Sequence, residues 1–141
     1  MTARILLFAM LAAASLSAAA QNMKPGQWQF TTTMTSPSMQ QPQIGTVKKC
    51  VSKSEADDPV SFMGGDQAAG CAITRGPSAP GSYSWTIACE KQGVNGTGNA
   101  RYSPDKLESE IRMTIALKEG GQKMEMTNRT QGHYVGPCAT K

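Results

Sequence analysis

The segment between Cys71 and Cys89 constrains the fold more than any other part of the sequence. Its centre, GPSAPG at 76–81, has two glycines and two prolines, a composition typical of a turn. If the flanking segments pair symmetrically about this turn, Ile73 lies opposite Ile87 and Cys71 opposite Cys89. Directly opposed Cβ atoms lie about 4.5–5.5 Å apart, which is close to what a disulfide requires. In this register the apolar side chains share one face: Cys71, Ile73, Trp85, Ile87 and Cys89. The segment therefore predicts a β-hairpin closed by a disulfide.

Alternation of apolar and polar residues continues through most of the chain. It is clearest in Gly26–Thr35 and Leu107–Leu117, and three consecutive threonines in the first of these suit a pleated strand. Further strands are expected at 43–50, at 94–103 with a bend or bulge at its glycines, at 122–130, and as a short final strand at 131–135. Because each strand has one apolar face, the sheet must curl or pair to cover it. We expect an all-β antiparallel meander of seven or eight strands, forming a partly closed, lipocalin-like barrel rather than a two-sheet sandwich.

One short helix is expected within the segment from Ser52 to Met63. Ser52 followed by Glu55 three residues later is the pattern of a capping box, and Pro59 ends the helix after one or two turns. A loop is expected at 64–70 and a turn at 118–121, where glycines are frequent.

The first twenty residues have the composition of a cleaved export signal. Arg4 provides a positive start, Ile5–Leu16 is almost entirely apolar, and Ala18–Ala20 offers the small residues that a signal peptidase requires. An apolar run of about a dozen residues is too short for a membrane anchor. We therefore expect residues 1–20 to be a cleaved signal peptide and 21–141 to be a single all-β domain without an integral membrane segment.

All four cysteines follow the predicted signal peptide. An even number of cysteines in an exported chain indicates a disulfide framework. Because the hairpin register pairs Cys71 with Cys89, Cys50 is left to pair with Cys138. No Cys-x-x-Cys is present, and the wide spacing argues against both thiol redox catalysis and a zinc site.

Several short motifs occur in an order that resembles one family, the bacterial exported proteins known as domain of unknown function 3617. The motifs are Lys24-Pro25-Gly26-Gln27-Trp28, Thr31–Met39, Thr46-Val47-Lys48-Lys49-Cys50, Asp66…Cys71, Trp85…Cys89, Gly96-Thr97-Gly98 and Gly136-Pro137-Cys138. The resemblance covers essentially the whole chain after the signal peptide. It implies a periplasmic location in a Gram-negative bacterium, and it implies no activity.

Side chains suited to catalysis are sparse. His133 is the single histidine, and no Gly-x-Ser-x-Gly elbow accompanies it. The adjacent pair Asp57-Asp58, and Glu108 with Glu110 on a predicted polar face, indicate solvated charge rather than an acid–base pair. Basic residues are scattered, and a net charge of +4 without a basic run does not indicate nucleic-acid binding. We expect a non-enzymatic protein without a cofactor.

A barrel-like shell with an apolar interior favours the binding of a small apolar ligand or of a periplasmic protein partner. The side chains expected to line the ligand site are Trp28, Phe30, Trp85, Ile111, Met113 and Ile115. A second hypothesis is a Cu(I) site formed by Met34 and Met39, because soft thioethers suit Cu(I), although methionine also fills irregular cores. A third is an envelope-assembly or interaction factor that presents the strand-connecting tip at 36–42 or an edge strand to its partner.

Overall fold

The computed structural model describes residues 22–59, 70–117 and 121–139, and this part of the chain forms one antiparallel sheet of seven strands. A five-residue helix, α1, follows the second strand, and a 3-10 turn at Glu90–Gln92 joins the fourth strand to the fifth. The predicted signal peptide, residues 64–69 of the predicted loop and residues 118–120 of the predicted turn lie outside the described residues. The element bounds are β1 Gly26–Thr35, β2 Gln43–Val51, α1 Lys53–Asp57, β3 Ala72–Ala79, β4 Ser82–Cys89, β5 Val94–Tyr102, β6 Lys106–Ala116 and β7 Lys123–Gly136.

The strands lie in the order β2-β1-β7-β6-β5-β4-β3. Strands β3 to β7 pair in chain order as a meander, and β1 joins its end by pairing with β7. Strands β2 and β3 remain as separate edges, so the sheet curls without closing. The all-β antiparallel prediction is confirmed, and the architecture is consistent with a partly closed barrel. The segments predicted as separate strands at 122–130 and 131–135 form one continuous strand, because β7 pairs with β1 and β6 along most of its length.

The β3–β4 hairpin has the predicted register. Ile73 lies opposite Ile87 and Arg75 opposite Trp85, and a register shift follows between Arg75 and Ser78 near the turn. The Cys71–Cys89 disulfide joins the ends of this hairpin, across a sequence separation of 18. A second disulfide, Cys50–Cys138, ties the end of β2 to the segment that follows β7. Because its sequence separation is 88, this bond closes a loop that contains most of the described sheet.

Helix α1 begins with the predicted capping box. The Ser52 Oγ accepts from the backbone N–H of Glu55 at 3.3 Å, and the Glu55 carboxylate accepts from the backbone N–H of Ser52 at 2.8 Å. The helix buries Ala56 against the sheet, and just beyond it the Asp58 carboxylate accepts from Arg75 of β3 at 2.8 Å. The segment after β2 therefore reaches across the open side of the sheet to the opposite edge strand.

Candidate functional site

The strand registers place one set of side chains on a single face of the sheet, here called the apolar face. On the central strands this face carries Trp28, Phe30, Thr32 and Met34 of β1, Tyr83, Trp85, Ile87 and Cys89 of β4, Val94, Ala100 and Tyr102 of β5, Leu107, Ser109, Ile111, Met113 and Ile115 of β6, and Met124, Met126, Asn128, Thr130 and Tyr134 of β7. All six residues predicted to line a ligand site are therefore on this face. The opposite, polar face carries mainly hydroxyl, amide and charged groups.

One end of the apolar face is closed by tight packing. Trp28 is fully buried and Phe30 nearly so, in a cluster with Met23, Val51, Ala56 and Leu107. The two rings stack with their centroids 6.0 Å apart, and Tyr134 packs edge-on against Trp28 at 6.1 Å. Trp28 and Phe30 thus contribute to a filled core at the position where a ligand lining was expected.

A second cluster lies farther along the same face. It contains Tyr83, Trp85 and Ala100, with Ile87 and Ile111 packed against it. The Tyr83 hydroxyl donates to the carbonyl oxygen of Pro59 at 3.2 Å, which ties the chain after α1 to the sheet. Burial of this ring raises the pKa of Tyr83 far above its ordinary range, because the phenolate would lose its hydration.

The other end of the apolar face is only half-buried. Met113 lies directly opposite Met126, and Ile115 directly opposite Met124. None of these four side chains belongs to either buried cluster. This end of the face is far from the closed end: a strand rises about 3.3 Å per residue, so Met34, near the end of β1, lies about 20 Å along that strand from Trp28. We call this group, Met113, Ile115, Met124 and Met126, the open end.

Glycines of β5 allow two large side chains to lie flat between the buried and open ends. A Cβ on Gly98 would lie 2.2 Å from Cε2 of Trp85, and a Cβ on Gly96 would lie 3.0 Å from Cγ of Met113. The predicted bend or bulge at these glycines is wrong, because β5 pairs with β4 and β6 without a register shift. The glycines are required by close approach of side chains, and not by a change in strand direction.

Within residues 22–59, 70–117 and 121–139, three buried polar atoms on the apolar face have no hydrogen-bond partner: Trp85 Nε1, Ser109 Oγ and Asn128 Oδ1. Trp85 is 2 % exposed and Ser109 is 6 % exposed. The other indole of the sheet differs, because Trp28 Nε1 donates to the carbonyl oxygen of Lys24 at 2.8 Å. Buried polar groups are almost always satisfied, so three such atoms on one face need an explanation.

The polar face carries an ion-pair group that the sequence interpretation missed. Glu110 was expected to be solvated charge, but its carboxylate accepts from Nε of Arg112 and from Nε of Arg129, each at 2.7 Å. The hydrogen bond from Arg129 is the main cause of a lowered pKa of Glu110. Alternation places residues 110 and 112 on one face, and pairing across the predicted turn at 118–121 supplies residue 129. A depression of about 620 Å³ also lies here, with walls that include Thr86, Thr97, Arg112, Glu125 and Thr127.

The remaining predicted positions are not brought into one site. Met34, the residue before the last of β1, is on the apolar face, whereas Met39 is in the connection to β2, where its N–H donates to the carbonyl oxygen of Ser36. His133 is exposed on β7, paired with Gln29 and Lys106. Among residues 22–59, 70–117 and 121–139, no group of three or more His, Cys, Asp or Glu side chains could hold a metal ion. Edge strand β2 exposes Ile44 and Val47, at 69 % and 59 %.

Comparison with known proteins decides the family. The sequence model of the DUF3617 family, described as a protein of unknown function, matches residues 23–138. The chain belongs to the DUF3617 family. The match begins just before β1 and ends at the cysteine of the long-range disulfide, so it spans the whole described sheet. Searches of curated proteins and of solved structures gave no match. No helix in the described part of the chain is long and apolar enough to cross a membrane.

Proposed function

We propose that this protein is a non-enzymatic carrier or receptor that binds a small, predominantly apolar molecule at the open end of the apolar face. The observation that supports this most directly is the contrast along one face of a single sheet. At one end Trp28 is fully buried, whereas Met113, Ile115, Met124 and Met126 remain partly exposed on neighbouring strands. Apolar surface left open in this way is typical of a binding site.

The chemistry of the open end fits an apolar ligand of variable shape. Methionine side chains are unbranched and polarizable, so they adapt to irregular partners. In the described strands β1 and β4 to β7, no charged side chain lies on the apolar face. Lys49 and Arg75 on the edge strands are paired with Glu55 and Asp58, and the Lys24 ammonium lies over the Tyr134 ring at the closed end, 5.6 Å from its centroid. An uncharged apolar molecule is therefore favoured over an ion.

Export to an oxidising compartment is part of the proposal. Disulfides form and persist outside the reducing cytoplasm, and the described chain has two of them and no free cysteine. Together with the signal-like composition of residues 1–20, this supports a periplasmic protein whose mature chain starts at Gln21. N-terminal sequencing of the exported protein tests this, since a chain that retains Ile5–Leu16 would contradict it.

The binding proposal is tested with N-phenyl-1-naphthylamine, a neutral apolar probe whose fluorescence rises in apolar surroundings. We expect saturable binding at one site per chain. Met113→Gln and Met126→Gln keep similar side-chain volume but place an amide in the site, and each is expected to weaken binding about tenfold, equivalent to about 1.4 kcal/mol. The matched controls Thr114→Gln and Glu125→Gln change the neighbouring residues on the polar face. Equal affinity in all four variants would refute the proposed location.

A Cu(I) site is the second candidate, and the pairing of Met113 with Met126 is the observation that favours it. Met124 lies on the same face of β7, and Met34 lies on the same face of the neighbouring strand β1. Met39 would complete the predicted Met34 and Met39 pair only if the β1–β2 connection folded toward this face. Titration of Cu(I) against a competing chelator tests the site, and it is excluded if Met34→Leu, Met39→Leu, Met113→Leu and Met126→Leu all leave the copper affinity unchanged.

A further inference from the structure

The three unpartnered polar atoms of the apolar face point to the class of ligand. Trp85 Nε1 is a donor only, Asn128 Oδ1 is an acceptor, and the Ser109 hydroxyl can be either. All three lie on the face that carries the open end, whereas two hydroxyls of the same face, those of Thr32 and Thr130, are bonded to each other at 3.1 Å. The apolar face therefore carries one hydrogen-bond donor, one acceptor and one hydroxyl that make no hydrogen bond within the described residues.

The registers place these three residues in two adjacent rows of the apolar face. Trp85 lies opposite Gly98, Gly98 lies opposite Ile111, and Ile111 lies opposite Asn128, so these residues form one row across β4 to β7. Ser109 is in the adjacent row, diagonal to Asn128, at a spacing of about 7–8 Å. Because the indole of Trp85 lies over Gly98, its N–H is displaced from β4 toward β6. A molecule seated over β5 and β6 would lie between the indole of Trp85 and the side chains of Ser109 and Asn128, and it would reach these buried atoms by displacing the groups that cover them.

The open end borders this row directly. Met113 follows Ile111 on the same face of β6, and Met126 precedes Asn128 on the same face of β7. A ligand whose apolar part packs on Met113 and Met126 thus directs its other end toward Ser109 and Asn128. Since the surrounding face has no charged side chain in the described central strands, that other end must be uncharged.

We infer that the ligand is an amphiphile with an uncharged head group that both donates and accepts hydrogen bonds, an alcohol or a carboxamide, held by Trp85, Ser109 and Asn128. This inference rests on the proposed function, because the same open end binds the apolar part. A hydroxyl or amide accepts from the indole N–H and donates to the Asn128 amide oxygen. A carboxylate has no proton to donate, and it would also lose its hydration without gaining a cation.

Indole resonances provide a direct test, since the chain has two tryptophans and one is an internal control. The Trp28 N–H is already bonded to the carbonyl oxygen of Lys24, whereas the buried Trp85 N–H has no hydrogen-bond partner among the described residues. The full exported chain, labelled with ¹⁵N and with ¹³C in its methionine methyl groups, is titrated with octan-1-ol, octanamide, octanoate and heptyl methyl ether. The ether is an isomer of octanol that accepts but cannot donate.

With octan-1-ol and octanamide we expect a shift of the Trp85 indole resonance, no shift of the Trp28 resonance, and at least tenfold tighter binding than octanoate. Ser109→Ala and Asn128→Leu are expected to weaken octanol binding fivefold or more and to change ether binding less than twofold. Both variants remove an unsatisfied group, so their Tm without ligand stays equal to or above that of the unmodified protein, which shows that they fold. Thr114→Val, on the polar face of β6, is the control.

The outcomes separate the two proposals. If methyl resonances of Met113 and Met126 shift while the Trp85 indole resonance does not, the head-group inference is overturned and the apolar site remains. Equal affinity for octanol and its ether isomer also overturns the inference. If neither methyl nor indole resonances respond to any of the four probes, the inference and the proposed function are both wrong.

Discussion

Replacement of Gly98 by alanine tests the close approach of Trp85 to β5. The new Cβ would lie 2.2 Å from Cε2 and 2.3 Å from Cζ2 of the Trp85 indole. Carbon atoms in van der Waals contact are separated by about 3.5–4.0 Å, so the ring must move by about 1.3 Å or more. Tyr83 packs on the ring with centroids 5.1 Å apart, and Trp85 is 2 % exposed, so little free space is available.

The expected cost is that of overpacking, about 1–3 kcal/mol. The φ angle at Gly98 is not in the left-handed region, so backbone strain does not add to this cost. Gly45→Ala is the matched control, because it also lies in a strand but has nothing within 4 Å of its ideal Cβ. There the substitution restricts the unfolded chain and should stabilise the protein by about 0.4–1 kcal/mol. The two variants should therefore differ by about 1.4–4 kcal/mol.

Calorimetry and urea denaturation of the disulfide-intact protein measure this difference. For a domain of this size each kcal/mol corresponds to about 4 °C in Tm, so the two variants should be separated by about 6–16 °C. In a Trp85→Leu background the penalty of Gly98→Ala should fall by at least 1 kcal/mol, since the clashing ring is absent. A Gly98→Ala variant as stable as Gly45→Ala would refute the placement of the indole over β5.

Three other predictions follow from the same structure. The pKa of Glu55 is lowered in the folded chain, chiefly by the hydrogen bond that its carboxylate accepts from the Ser52 backbone. Its stabilising effect is therefore present above the unfolded pKa near 4.5 and is lost as pH falls through the folded pKa, so the unfolding free energies of the unmodified protein and Glu55→Gln should converge in acid. Ser52→Ala should cost about 1 kcal/mol at neutral pH. Absorbance titration should show one tyrosine that ionises only well above its ordinary range near 10, and this late phase should vanish in Tyr83→Phe; its persistence in that variant would show that another ring is the buried one. Urea denaturation should show that removing the long-range disulfide with Cys50→Ala and Cys138→Ala costs about 4.5 kcal/mol of unfolding free energy. Removing the hairpin disulfide with Cys71→Ala and Cys89→Ala should cost about 3 kcal/mol. The reverse order would contradict loop closure as the main cause of the stabilisation.

Local patterns in the sequence predicted much of the fold. The alternation in β1 and β6, a turn between β3 and β4 and the capping box at Ser52 each depend on residues close in the chain. The turn is shorter than the predicted 76–81, because β3 continues to Ala79 and β4 begins at Ser82. The hairpin register followed from these patterns, because a shift by one residue would have turned Ile73, Ile87 and the cysteines to opposite faces. The Cys50–Cys138 bond then followed by elimination, since four cysteines with one pair assigned leave one other pair.

The candidate site was predicted only in part, for physical reasons that concern neighbours distant in the chain. The pattern assigned Trp28 and Met113 to the apolar side of their strands, but it carried no information on which of them would be covered by Met23 and α1. The glycines of β5 were interpreted as backbone features, because nothing in 94–103 shows that Trp85 lies over Gly98. The partners of Glu110 depend on the pairing of β6 with β7.

The amino-acid sequence by itself determined the strands, their apolar sides, the helix start and the pairing of cysteines, because these depend on local periodicity and on counting. Only the tertiary structure decided that the described sheet stays open between β2 and β3, and that one end of its apolar face is filled and the other half-buried. It also decided that Trp85 Nε1, Ser109 Oγ and Asn128 Oδ1 have no hydrogen-bond partner among the described residues. The burial of a side chain and its hydrogen bonds depend on neighbours from several strands, so they are fixed only when the strands are assembled.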